Sequence, residues 1–127
     1  MLDKHALIGI FHLVAVVPLF FWVSFQRAAT AEWVYNLLLG LGILIGLYHG
    51  MKAIGRIAAA SPLAYVNLIH VLLVAPLLIW IGYHGKKTGR PAYDMLLMAT
   101  FAALGYHLYH LVVSVNTFVK PMESGAA

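Results

Sequence analysis

Histidine is the residue type in this chain best suited to chemistry, and its spacing follows a rule. His12 and His70 are 58 positions apart, and so are His49 and His107. Neutral imidazole ligates iron, copper and zinc, and it takes up a proton near neutral pH. The same offset, without a gap, lays Pro18 on Pro76, Trp22 on Trp80, Thr30 on Thr88, Tyr35 on Tyr93, and Tyr48-His49 on Tyr106-His107. Apolar runs match by chance. A His, a Pro, a Trp and a Tyr-His pair in one register do not. The chain therefore reads as a duplicated helical hairpin with two histidines per copy. Repeat 1 covers about residues 5–59 and repeat 2 about residues 63–117.

Four apolar stretches must position these histidines. They lie near residues 6–27, 32–57, 63–84 and 92–118. The 127 residues are 63% hydrophobic and 9% charged, with a mean hydropathy of +0.90. An ordinary soluble domain has about 25% charged residues. A helix needs about 20 apolar residues to cross a bilayer core. A soluble four-helix bundle would need a charged outer face on each helix, yet no charge occurs from Leu7 to Phe25. The expected fold is all-α and integral to the membrane, a four-helix transmembrane bundle forming one domain over residues 1–127. Four spans put both termini on the same side. The two hairpins are then parallel repeats, related by a pseudo-twofold axis along the membrane normal. Inverted repeats would need an odd number of spans per copy. The lipid bilayer is the first expected partner and a second copy of the chain another. Nucleic acid is not expected.

Orientation stays open. Lys4, Lys52, Arg56 and Lys120 fall on one face, and Arg27, Lys86, Lys87 and Arg90 on the other. The positive-inside rule compares these counts, and they are equal. Ala29-Thr30-Ala31 resembles a signal cleavage site, but the apolar run before it is too long for a signal peptide and has a repeat partner in the third span. There is no cysteine, which removes disulfide and thiolate chemistry.

The turns are short. Arg27 to Glu32 joins spans one and two. Ser61-Pro62 joins two and three, with Ser61 as the expected N-cap and Pro62 at the first helical position. His84 to Pro91 joins three and four, its glycines ending one helix and Pro91 starting the next. The tail from Pro121 to Ala127 is expected to fray. Pro18 and Pro76 should kink their helices, and paired kinks could make room on one side.

Depth links the histidines. At about 1.5 Å rise per residue, His12 and His70 lie before the midpoints of spans that start on one side. His49 and His107 lie past the midpoints of spans that run back. All four are expected at nearly one level, with His110 one turn nearer the same surface. Lys52 takes the repeat position of His110. Polar residues line the same faces: Asn67 with His70, Thr100 with His107, and Arg56 with His49. Ionisable groups inside a bilayer are costly and mark functional sites.

The first functional reading is a b-type haem or a transition-metal ion held by His12, His49, His70, His107 and His110. His49 and His107 are the first haem ligands, because Gly42, Gly46, Gly50 and Gly105 offer clearance for a flat macrocycle. Tyr48 and Tyr106 could serve second-shell groups. The same glycines suit a close helix contact. The second reading is a pH-responsive proton or ion channel or transporter. Its wet vestibule is lined by the histidines with Lys52, Arg56, Asn67 and Thr100, and its apolar gate lies near Leu19, Phe20, Leu77 and Leu78. The third is a structural membrane protein whose histidines join helices. No nucleophile with a base and an orienting acid can be assembled, so acyl transfer is disfavoured, while metal-dependent oxidation stays open.

Overall fold

The computed structural model describes residues 3–124, with the side chains of residues 118 and 120–124 outside that description. All regular structure among the described residues is helical. Four helices are long and apolar enough to cross a membrane: Lys4–Ala29, Glu32–Ala58, Ala64–Lys87 and Arg90–Thr117. We number them helices 1 to 4. Their positions match the four apolar runs, because run length and turn residues are local properties. Large apolar side chains such as Ile54, Leu72 and Met98 face outward. An outward apolar surface of this kind is consistent with a multi-pass membrane protein.

Asp3 opens helix 1, its carboxylate accepting the Ala6 N–H at 2.7 Å. The helix then widens into a π turn at His12–Val16, where the Val17 N–H reaches back five residues to the His12 carbonyl. Helix 3 does the same at His70–Val74, with Ala75 N–H donating to the His70 carbonyl. The cause is the proline that follows each turn. Pro18 and Pro76 have no N–H, and their rings press on the carbonyl four residues back. The wider turn relieves that clash. The expected proline disturbance thus takes the form of a π turn that starts on a histidine.

Two boundaries differ from expectation. Helix 3 starts at Ala64 with Leu63 as its N-cap, so Pro62 lies in the turn and not at the first helical position. Ser61 orders that turn instead, its hydroxyl accepting the Leu63 N–H at 3.3 Å and its carbonyl the Ala64 N–H at 3.2 Å. The left-handed Ala60, with φ of 49°, sends the chain through this extra turn first. Helix 4 runs on to Ser124, through the Pro121 where fraying was expected. Residues 125–127 of that tail lie outside the described residues.

The chain divides into two compact units, Met1–Trp22 with Leu97–Ala127, and Val23–Leu96. In the second unit, helices 2 and 3 pack closely. A Cβ on Gly82 would stand 2.5 Å from the Leu39 nitrogen, and one on Gly42 would stand 2.9 Å from the Ile79 nitrogen. Gly46 faces the Ala75 methyl at 3.4 Å. The partners step backward along helix 3 as they step forward along helix 2, so the two run antiparallel.

The end of this unit near the two short 3-10 turns, Arg27–Ala29 and Gly85–Lys87, holds a buried tyrosine pair. Arg27 and Gly85 are repeat counterparts and share a left-handed φ, 50° and 53°. Tyr35 donates its hydroxyl to the Arg27 carbonyl at 2.7 Å, and the Tyr93 hydroxyl lies 2.9 Å from that of Tyr35. Each phenol has one proton. With Tyr35 committed to Arg27, Tyr93 donates to Tyr35, and the Gly85 carbonyl at 3.5 Å is a weaker alternative. Tyr35→Phe removes the short bond to the Arg27 turn and should cost about 1–2 kcal/mol, with Tyr93→Phe costing less. Thermal unfolding of both variants in one detergent checks the order; equal losses would contradict it. Asp94 bridges Arg27 at 3.7 Å and Arg90 at 3.4 Å. Both pairs are exposed and contribute little.

In the first unit, helices 1 and 4 meet through Phe21 and Phe101, edge to face at 5.0 Å. Val17, Phe20 and Thr100 are buried.

Candidate functional site

Each unit holds one pair of histidines, stacked face to face. In the first unit the rings of His12 and His107 lie 4.2 Å apart at 20°. In the second, His49 and His70 lie 4.1 Å apart at 10°. Each pair takes one imidazole from each repeat. The repeat offset converts one pair into the other, since His12 corresponds to His70 and His107 to His49.

Local structure orients the rings. His12 Nδ1 lies 2.8 Å from the Ile8 carbonyl, and His70 Nδ1 lies 2.7 Å from the Val66 carbonyl. Both are one helical turn back. A carbonyl can only accept, so Nδ1 carries a proton, and in the neutral ring the lone pair is then on Nε2. His49 Nδ1 lies 2.9 Å from Asn67 Oδ1. The rings of all four are half-buried. Tyr48 stands edge-on to His49 and Tyr106 edge-on to His107, at 5.1 and 5.2 Å. These i, i+1 neighbours reproduce the Tyr-His repeat in space.

The remaining candidates are less closely gathered. His110 is exposed, and its ring lies 4.5 Å from that of Tyr106 rather than with the pair. Lys52 is exposed, with Nζ 5.8 Å above the Tyr48 ring. Arg56 donates to the Leu63 carbonyl at 3.2 Å, which ties the end of helix 2 to the turn. Thr100 is fully buried. Gly42 and Gly46 are occupied by the contact with helix 3, while Gly50 and Gly105 face open space. An apolar groove of 370 Å³ lies beside Pro76, walled by Leu73, Leu77, Trp80 and Met95. It offers no titratable group.

The expected metal or haem site sets a geometric requirement on the rings. Two axial imidazoles on one iron stand end to end, with ring centres about 6 Å apart, because each nitrogen lies about 2 Å from the metal. Rings stacked at 4.1 and 4.2 Å leave no such gap. Their lone pairs lie in the ring planes and do not point across the stack. His49 and His107, expected as first haem ligands, fall in different units, each against another histidine. No three His, Cys, Asp or Glu residues are grouped as a metal site among the described residues.

The tyrosine pair and Asn67 as the partner of His49 were missed in the sequence. The alignment of Tyr35 with Tyr93 was the available signal for the first. Asn67 was placed on the right face, but its bond to His49 crosses between helices.

No family model, curated protein or solved structure matches this chain.

Proposed function

We propose that this chain is a four-span membrane protein, built from a duplicated hairpin, whose stacked histidine pairs bind and exchange protons. Both termini lie on one side of the bilayer, and a pseudo-twofold axis along the membrane normal relates the two copies. The observation that carries this reading is the pair of face-stacked histidines that recurs at repeat-equivalent positions. One imidazolium over one neutral ring is favourable, since the cation lies over a π face. Two charges about 4 Å apart repel by about 4 kcal/mol at an effective dielectric of 20. The Tyr35–Tyr93 contact supports the duplication, because a residue can touch its own repeat counterpart only near the axis that relates the copies.

The test is proton entry into liposomes holding the purified protein, driven by an acid outside. We expect flux that rises with acidity and is lost when His12 and His70 are replaced by Ala. Flux unchanged by those replacements sinks the reading.

A b-type haem or transition-metal site is the competing proposal. One observation favours it: metal-ligating histidines commonly donate their second ring nitrogen to a carbonyl, as His12 and His70 do here. It requires the stacked rings to part. Absorbance spectra of oxidised and reduced protein, with elemental analysis of the same sample, separate the two. We expect no Soret band and no stoichiometric metal after expression with both supplied. Either one would replace the proton reading. Absence of flux and ligand together would leave a structural role, with the histidines joining helices.

A further inference from the structure

The apolar groove beside Pro76 adjoins a basic turn. The groove has a volume of 370 Å³. Leu72, Pro76 and Trp80 recur every fourth residue and make one stripe along helix 3, and Pro91, Ala92 and Met95 of helix 4 close the other side. At about 1.5 Å per residue the stripe from Leu72 to Trp80 is about 12 Å long. One leaflet supplies about half of a bilayer core of about 30 Å. An acyl chain lying in this groove would follow it through most of one leaflet.

The cations stand at the end of the groove marked by Trp80. Arg90 directly precedes Pro91, and Lys86 and Lys87 lie on the 3-10 turn that follows helix 3's last apolar residues. Thr88 fixes that turn, its N–H donating to the Gly85 carbonyl at 3.0 Å and its buried hydroxyl to the Ile81 carbonyl at 3.3 Å. Both lysines are exposed, and neither forms an ion pair among the described residues. Arg90 shares Asp94 with Arg27. This end of the unit therefore sets four cations, Arg27, Lys86, Lys87 and Arg90, against two carboxylates, Glu32 and Asp94. Trp80 lies between the apolar floor and the cations, as indoles do at a membrane interface.

The duplication supplies an internal comparison. In repeat 1 the places of Pro91 and Ala92 are taken by the bulkier Trp33 and Val34. Lys86 and Lys87 correspond to Ala28 and Ala29, and Arg90 to Glu32. Small groove residues and positive charge arise together in the second copy, so neither is a by-product of the shared hairpin. The charge also selects the occupant. A second copy of this chain, inserted in the same direction, would bring its own basic turn to the same level, like charge against like. An anionic lipid brings the opposite charge to the cations and a hydrocarbon chain to the groove.

We propose that the groove and the turn form a site for one anionic phospholipid, with an acyl chain against Pro76 and Ala92 and the headgroup phosphate by Lys86, Lys87 and Arg90. The site rests on the four-span membrane reading and not on proton exchange.

The experiment reads Trp80 fluorescence in full-length protein carrying Trp22→Phe and Trp33→Phe, reconstituted in phosphatidylcholine vesicles. Bromine on an acyl chain quenches an indole that it touches. Brominated phosphatidylglycerol is compared with brominated phosphatidylcholine at equal mole fractions. We expect half-quenching at a mole fraction at least about fivefold lower for the phosphatidylglycerol, the gain from one basic residue at an anionic surface. Lys86→Ala with Lys87→Ala should bring the two lipids close to parity. Ala92→Phe, which fills the groove and keeps the charges, should abolish the preference as well. Equal quenching by both lipids before these substitutions overturns the proposal. So does a preference that survives Ala92→Phe, because the cations would then draw lipid to an ordinary surface. Quenching by neither lipid overturns the membrane reading and the site together. A protein without proton flux that still prefers phosphatidylglycerol keeps the site and loses the proton reading. If the tryptophan replacements prevent folding, native mass spectrometry of the unaltered protein, released from nanodiscs of equimolar phosphatidylglycerol and phosphatidylcholine, takes their place. One retained phosphatidylglycerol is expected there, and equal retention of both lipids overturns the site.

Discussion

Gly82→Ala is expected to destabilise the protein by about 3 kcal/mol, the upper range for forcing extra atoms into a packed core. The new methyl would stand 2.5 Å from the Leu39 nitrogen and 2.7 Å from its Cα. These are backbone atoms in the middle of helix 2, and no side-chain rotation can move them aside. Gly42→Ala should come next, with Ile79 Cγ1 at 2.8 Å and Ile79 N at 2.9 Å. Gly40→Ala and Gly50→Ala are the controls. Nothing lies within 4 Å of a Cβ at either position, so the better helix propensity of alanine should stabilise by about 0.5–1 kcal/mol. Thermal unfolding in one detergent ranks all four. A Gly82→Ala protein that melts like the unaltered one would mean that helices 2 and 3 do not meet here. The consequence reaches the site. Gly82 with Leu39, Gly42 with Ile79 and Gly46 with Ala75 belong to one antiparallel register, which continues to His49 beside His70. Spreading the glycine contact should also part the rings.

His70→Ala should reduce acid-driven proton entry into liposomes by about tenfold or more, which corresponds to about 1.4 kcal/mol in a barrier. His49→Ala should do the same. Each leaves a lone imidazole whose charged form has lost the π face that supported it. His84→Ala is the control. His84 has the same local bond, Nδ1 lying 2.9 Å from the Trp80 carbonyl, but its ring lies 4.0 Å from Trp80 and not against a histidine. Its loss should leave flux within about twofold, a change of under about 0.5 kcal/mol. Equal losses from His70→Ala and His84→Ala would show that any histidine on these helices supports flux, and the paired geometry would have no part in it. Flux carried through His49→Ala at full rate would do the same.

Much of the helical layout was legible because its causes are local. A long uncharged run with prolines and glycines at its ends must form a helix of that length, whatever it packs against. Glu32 and Gly85 therefore marked boundaries correctly, and Pro91 lies one residue inside the helix that Arg90 begins. Ser61-Pro62 misled because two arrangements satisfy the same residues. Ser61 can cap a helix directly, or it can order a turn before one, and the left-handed Ala60 selects the second. Pro18 and Pro76 announced a disturbed helix but not its form. A missing N–H can be met by a bend or by a wider turn, and neighbouring packing chooses.

The candidate site divides the same way. The sequence by itself determined that His12, His49, His70 and His107 come as two repeat-related sets, and that no thiolate can share their chemistry. Only the tertiary structure decided that His12 stacks on His107 and His49 on His70, and that Asn67 bonds to His49. Repeat register fixes which residues are equivalent, because it is carried along one chain. It does not fix which equivalents touch. That depends on how closely Gly42 and Gly82 let two helices approach, on the rotation each π turn imposes, and on ring partners tens of residues away. These are contacts between elements, and no local pattern encodes them.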